Sequence, residues 1–210
     1  SCPDPVSLNA CTSQEAINVA FIAFLGEFRT SGGCNASGSF AESYTAPDAC
    51  TGGMVTVVYN ASDACDQTAT CTRTFTVAPA TTLIVSCPAP VSVGACMAQD
   101  DLTAAYADWL AEFATIGGCS PTSTDLANYQ TPPSACSTTD IVISITYGAS
   151  DDCNSDECTS TFTVPAQPAL SVSCPTPRTV NACMAQDDLN NVYALWLAGF
   201  ETVGGCNPTS

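Results

Sequence analysis

Fifteen of the 210 residues are cysteine, and their spacing is periodic. Cys2, Cys87 and Cys174 begin three runs in which the next cysteine follows at one fixed interval (Cys11, Cys96, Cys183) and the third at another (Cys34, Cys119, Cys206). Cys50, Cys65 and Cys71 complete a first set of six; Cys136, Cys153 and Cys158 complete a second. Thiols in such numbers can bind metal, act as nucleophiles or form disulfides. Zinc favours close pairs such as CxxC or accompanying histidines. The nearest pairs here, Cys65 with Cys71 and Cys153 with Cys158, are wider, and the chain has no histidine. Nucleophilic catalysis needs a base beside the Cys or Ser, and lysine is missing as well. The reading is structural disulfides at Cys2, Cys11, Cys34, Cys50, Cys65, Cys71, Cys87, Cys96, Cys119, Cys136, Cys153 and Cys158, with fifteen pairings open within a set of six. Cys174, Cys183 and Cys206 belong to an incomplete set.

Carboxylates are the second candidate chemistry. Asp63 and Asp66 in "ASDACDQ", and Asp151, Asp152 and Asp156 in "ASDDCNSDE", cluster oxygen ligands that suit calcium. There is no EF-hand spacing, and Asp also favours turns for backbone reasons. The expectation is no cofactor and no metal, with calcium at Asp63, Asp66, Asp151 and Asp152 as the alternative. Asp108 and Glu112 lie one helical turn apart, as a glycosidase pair could. Their counterparts, Ala23 with Glu27 and Leu195 with Gly199, break the pair in the other runs. No catalytic residue is assigned, and the chain is read as not an enzyme.

Twenty acidic residues face three arginines, a net charge of -17. Nucleic-acid binding needs a basic face to neutralise phosphates, so it is excluded, and docking on anionic membranes fails for the same reason. No apolar run approaches the ~18 residues of a membrane span. Regular cysteine spacing in small units points to an oxidising compartment, hence an extracellular or cell-surface location. Asn35 and Asn60 stand in N-glycosylation sequons, relevant only in a eukaryotic secretory pathway.

These residues are positioned by a repeated unit, since self-similarity at a constant period marks an array. The expected division is copy one over 1–80, copy two over 81–166 and copy three over 167–210, with both ends reading as cuts from a longer chain. In copy two, Leu102, Tyr106, Trp109, Leu110, Phe113 and Ile116 recur at helical spacing, and Asp100 and Asp101 favour the helix N-terminus. Ile17, Phe21, Phe24, Leu25 and Phe28 keep the stripe in copy one; Leu189, Tyr193, Trp196, Leu197, Phe200 and Val203 keep it in copy three. Glycine pairs such as Gly117-Gly118 are predicted to stop it. "MVTVVYNASD" (54–63), "DIVISITYGASD" (140–151), "CTRTFTV" (71–77) and "CTSTFTV" (158–164) alternate as strands. Short proline-bearing junctions leave the copies stiffly coupled.

"VTVVYNASDACDQTATCTRTFTV" (55–77), followed by "SCP", resembles the hyalin-repeat (HYR) family. The six-cysteine copies with a helix look like the repeats of giant surface adhesins of gliding Bacteroidota, the SprB-like group. The resemblance implies a mainly β fold of tandem immunoglobulin-like sandwich units braced by disulfides, each with one helix. It implies a non-enzymatic structural repeat forming the shaft of a long extracellular adhesin fibre, whose partners are further copies of the repeat. The alternative is a module binding surface glycans or proteins through the stretch between the third and fourth cysteines, 35–49 in copy one and 120–135 in copy two.

Overall fold

The computed structural model describes residues 1–206. In chain order the elements are β1 (Val6–Leu8), α1 (Gln14–Gly26), β2 (Ser37–Phe40), β3 (Gly53–Ser62), β4 (Thr68–Val77), β5 (Ile84–Ser86) and β6 (Val91–Ser92). There follow α2 (Gln99–Ala111), β7 (Ala114–Ile116), β8 (Thr122–Ser123), a 3-10 turn (Ala127–Tyr129), β9 (Ile141–Ser150), β10 (Ser155–Val164), β11 (Ser171–Ser173), α3 (Gln186–Leu197) and β12 (Glu201–Val203). They fall into two compact units. One takes Ser1–Ser86 with Ala114–Thr124 and Tyr147–Cys158; the other takes Cys87–Phe113, Asp125–Thr146 and the described residues from Thr159 onward.

In the first unit, four strands form a mixed sheet in the order β1-β4-β3-β2. The long β3–β4 hairpin is antiparallel from Gly53↔Val77 to Ser62↔Thr68, and β1 joins β4 in parallel. Helix α1 starts because Ser13 caps it, its hydroxyl accepting from the Ala16 N–H at 3.3 Å. Its apolar stripe, Ile17, Phe21 and Phe24, lies on the sheet with Val57, Phe75 and Val77, and Phe28 just beyond the helix closes the cluster. Phe21 meets Phe75 edge-on with ring centroids 5.0 Å apart. β5 and β7 form a separate antiparallel pair, Ile84↔Ile116 to Ser86↔Ala114.

In the second unit, α2 repeats the arrangement of α1. No side chain caps it, so Asp100 and Asp101 in the first turn supply the favourable charge there. Leu102, Tyr106 and Trp109 are buried, as are Ile145, Phe162 and Val164. Tyr106 stands T-shaped on Phe162 at 5.1 Å, and the Trp109 indole N–H donates to Ser160 Oγ at 3.1 Å, both residues being almost wholly buried. β6 pairs with β10 in parallel, Phe162↔Val91 and Thr163↔Ser92. α3 buries none of its residues, and β11 pairs with β12.

The long strands lie where their alternation places them, but the fold class differs from the immunoglobulin-like β-sandwich expected. A sandwich buries its sheet against a second sheet. Here a helix covers the inner face, and among the described residues the outer face stays open, with Met54 65% and Val142 61% exposed. The fold is mixed α/β, sheet with covering helix. The fibre of tandem immunoglobulin-like units is corrected with it. Ala114–Thr124 and Tyr147–Cys158 cluster with Ser1–Ser86, so the chain is not a string of self-contained sandwich domains. The helices also end earlier than the stripe suggested. Ala114–Ile116 and Glu201–Val203 are strands paired with β5 and β11, and the glycine pairs end those strands rather than the helices.

Removing the Ser160 hydroxyl leaves the Trp109 N–H buried without a partner. Ser160→Ala is expected to cost about 1–3 kcal/mol in denaturant unfolding of the oxidised protein. The double variant Trp109→Phe/Ser160→Ala, with no orphaned donor, is expected to lose less than the sum of the two single changes.

Candidate functional site: a disulfide junction between copies

Three bonds cross from one set of six to the next, and one closes within its own set. Cys2 bonds Cys71, joining the first and sixth cysteines of copy one. Cys11 bonds Cys119 and Cys96 bonds Cys206, each linking the second cysteine of one copy to the third of the next. Cys50 bonds Cys153, fourth to fifth of the next. Cα separations of 5.1, 5.2 and 5.2 Å at these crossings suit the bond. Each crossing lies within one compact unit. Cys87 and Cys158 are also disulfide-bonded. Cys34, Cys65 and Cys136, expected in bonds, carry free exposed thiols, as do Cys174 and Cys183. The crossings span 103 to 110 residues. Loops of that length restrict the unfolded chain by about 5 kcal/mol each in a chain-entropy account.

Short-range polar contacts set each cysteine in place. Asp151 is the knot at the receiving side: its carboxylate accepts from the backbone N–H groups of Cys119, Cys153 (2.8 Å) and Asn154 (2.6 Å). One side chain thus fixes both cysteines that bond to the preceding copy. Gly118, at φ +69, lets the chain pass so close that a Cβ there would sit 2.8 Å from the Asp151 carboxylate oxygen. Asp63 does the same in copy one, accepting from Cys34 (3.2 Å), Cys65 (2.9 Å) and Gln67 (3.0 Å).

On the donating side, Gln14 in the first turn of α1 accepts from the Ala49 N–H at 2.8 Å and donates to the Pro47 carbonyl at 3.1 Å. Gln99 in α2 clamps Ala135 (2.8 Å) and Pro133 (3.0 Å) in the same way. Each holds the loop that leads to the fourth cysteine, and Asp48 adds bonds to the N–H groups of Cys50 and Thr51. The junction itself is pinned. Ala78 donates to Leu8, Ala80 to Cys50, Thr81 Oγ1 to Gly118, and Val85 to the Asp156 carboxylate.

The calcium candidates are therefore divided. Asp63 and Asp151 are occupied by backbone N–H groups; Asp66 and Asp152 are exposed beside them, Asp66 at φ 59. Among the described residues no group of three or more His, Cys, Asp or Glu is placed to hold a metal ion. Asp108 and Glu112 are both exposed, on and just after α2. No helix of the described residues is long and apolar enough to cross a membrane. Sequence reading passed over Gln14 and Gln99, although a glutamine follows the second cysteine by three residues in every copy, and a proline precedes each fourth cysteine by three.

The chain matches no protein-family model, no curated protein and no solved structure.

The knots carry a pH dependence. Backbone hydrogen bonds hold Asp63 and Asp151 below the ordinary carboxylate value of 3.8, from Gln67 and Cys65 in the first case and from Cys119 and Cys153 in the second. Asp48 is lowered by Thr51 and Cys50. A depressed folded value contributes stability that is complete above the unfolded value and is lost as pH falls through the folded one. The melting temperature of the oxidised protein is expected to be flat above about pH 5 and to fall below pH 3.8. Asp63→Asn/Asp151→Asn is expected to melt lower at neutral pH and to show a shallower acid limb.

Proposed function

We propose that this chain is a non-enzymatic structural segment, a shaft or spacer, of an extracellular or cell-surface adhesin-type protein, whose partners are further copies of the same repeat. The observation that carries the reading is the pairing of cysteines across copies. A domain that works alone gains most from bonds that close on itself. Bonds that tie each copy to the next serve a chain that must transmit force or hold position without coming apart. The abundance of disulfides supports an oxidising, extracellular setting. The high acidic charge supports solubility and repulsion between neighbouring molecules.

The alternative, a module binding glycan or protein through the stretch after the third cysteine, has less to support it. In copy one the aromatics of that stretch are tied to the domain's own core. Phe40 packs edge-on against Phe28 and Tyr59, and the Tyr44 hydroxyl accepts from the Val58 N–H at 2.9 Å. The open groove beside β8, about 600 Å³, is lined by Thr122, Thr124, Gly148, Ala149, Ser150 and acidic neighbours, with no aromatic face on which a sugar ring could stack.

Stretching single molecules by their ends tests the structural role. Through Cys11–Cys119 and Cys96–Cys206 the covalent path from Ser1 to Cys206 contains roughly 35 residues, about 120 Å at ~3.6 Å per residue, against about 740 Å for the open chain. The oxidised protein is expected to stop extending near the shorter length and the reduced protein near the longer. A glycan array probed with the same oxidised protein is expected to stay silent. Dose-dependent binding that disappears on altering residues 35–49 or 120–135 would favour the binding module instead.

A further inference from the structure

Four of the five free thiols, Cys34, Cys65, Cys136 and Cys183, follow the same rule as the bonds that cross copies. Where bonds form, the second cysteine of a copy takes the third of the next, and the fourth takes the fifth of the next. Cys34 and Cys65 are the third and fifth cysteines of copy one, so the rule assigns them partners in a copy that precedes it. Cys136 and Cys183, a fourth and a second, look the opposite way, and both are free.

We propose that Cys34 and Cys65 form a two-point covalent acceptor for another copy of this repeat, with its second cysteine bonding Cys34 and its fourth bonding Cys65. The inference rests on cysteine geometry and goes beyond the role proposed above.

Copy two shows the acceptor in its occupied form. There the Asp151 carboxylate gathers the N–H groups of Cys119 and Cys153, and these two cysteines bond Cys11 and Cys50. The free pair sits in the same frame. Asp63 gathers the N–H groups of Cys34 and Cys65, and the Ala64 N–H donates to the Cys34 carbonyl at 2.8 Å, which ties the two cysteine loops directly together. Gly33 repeats the role of Gly118, at φ +69 with a would-be Cβ 2.8 Å from the Asp63 carboxylate oxygen. The acceptor is thus built before any partner arrives, with two thiols exposed on one hydrogen-bonded frame. Two attachment points a fixed distance apart select a partner that presents cysteines at matching separation. Another copy does so, because the glutamine clamp after its second cysteine sets the loop that carries its fourth.

Each bond forms by thiol–disulfide exchange with a small disulfide such as oxidised glutathione. One protein thiolate attacks a sulfur of that disulfide and releases one thiol. The partner thiolate then attacks the mixed disulfide and releases the second. Two protein thiols are oxidised, one small disulfide is reduced to two thiols, and the two protein protons end on the released thiols.

The test uses the full 210-residue chain extended by one extra copy of residues 86–172 placed ahead of Ser1, refolded in a glutathione redox couple beside the unextended chain. Alkylation followed by non-reducing peptide mapping reads each cysteine. Labelling of Cys34 and Cys65 is expected to drop about tenfold or more in the extended chain. Cross-linked peptides should join Cys34 to the second and Cys65 to the fourth cysteine of the added copy, and replacing those two by serine should restore the label. The Cys11–Cys119 and Cys50–Cys153 bonds in the same sample report that the chain has folded. With those bonds present, full labelling of Cys34 and Cys65, or a bond between the two, would overturn the proposal. In the unextended chain, a link from Cys34 to Cys183 of another molecule would identify a separate molecule as the source of the partner copy. A monomer labelled at both would assign it to the same polypeptide. Neither mapping outcome depends on whether the protein bears tension, so this proposal and the structural role can fail separately.

Discussion

The arrangement of this chain depends on three disulfides that pair cysteines across copies, Cys11–Cys119, Cys50–Cys153 and Cys96–Cys206. A copy of about 86 residues is near the lower size at which an apolar core holds alone, and its sheet buries only one face. A bond that closes on the same copy, such as Cys2–Cys71, limits the unfolded state of that copy only. Cys11–Cys119 and Cys50–Cys153 do more, because they make the folding of one copy's loops a condition on the next. The stability of a copy is then shared with its neighbour, as in repeat proteins whose interfaces carry part of the energy. Here the interface term is covalent.

Pairing across copies needs accurate presentation, and that explains the polar residues that a packing account alone would not. The helix lies on the sheet through Phe21, Phe24 and Phe75 in copy one, and through Tyr106, Trp109 and Phe162 in copy two. That packing fixes the first helical turn, and Gln14 or Gln99 reaches from that turn to the loop before the fourth cysteine. At the other end of the hairpin, Asp63 or Asp151 ties the loop after β3 or β9 to the third cysteine. Core, clamp and knot form a chain of dependence that ends at sulfur atoms. Two of the four calcium candidates, Asp63 and Asp151, accept backbone N–H groups, because a crowded N–H must find an acceptor and Asp supplies two oxygens at one point.

The long strands and the apolar residues of the helices were legible in the sequence because alternation and 3.6-residue spacing report burial directly. What covers the sheet was not. A strand with one apolar face, such as β3 or β4, is compatible with a facing sheet or a facing helix, and "NASDACDQTATCTRTFTV" reads the same in either case. The helix ends were misplaced because Phe113 remains buried after α2 stops, so the stripe runs on while the backbone changes to strand. The pairing was illegible for a sharper reason. In a translational repeat, bonds within a copy and bonds between copies draw on the same set of cysteine positions and leave the same periodic pattern in the sequence, and only three-dimensional placement distinguishes them. The signals that could have helped were the glutamine after each second cysteine and the Asp before each fifth, which mark loops built to face a partner.

The chain's three arginines, Arg29, Arg73 and Arg178, provide the most direct test of pairing across copies. Alkylated, unreduced and denatured protein cut by trypsin at all three sites yields four peptides. If Cys2–Cys71, Cys11–Cys119, Cys50–Cys153 and Cys96–Cys206 are the bonds, all four stay joined as one species with the mass of the intact chain plus three waters and the alkyl groups, and separate only on reduction. If the cysteines instead pair within copies, the two peptides covering residues 1–73 come away from residues 74–178 before any reductant is added, and the account of a covalent junction between copies is wrong.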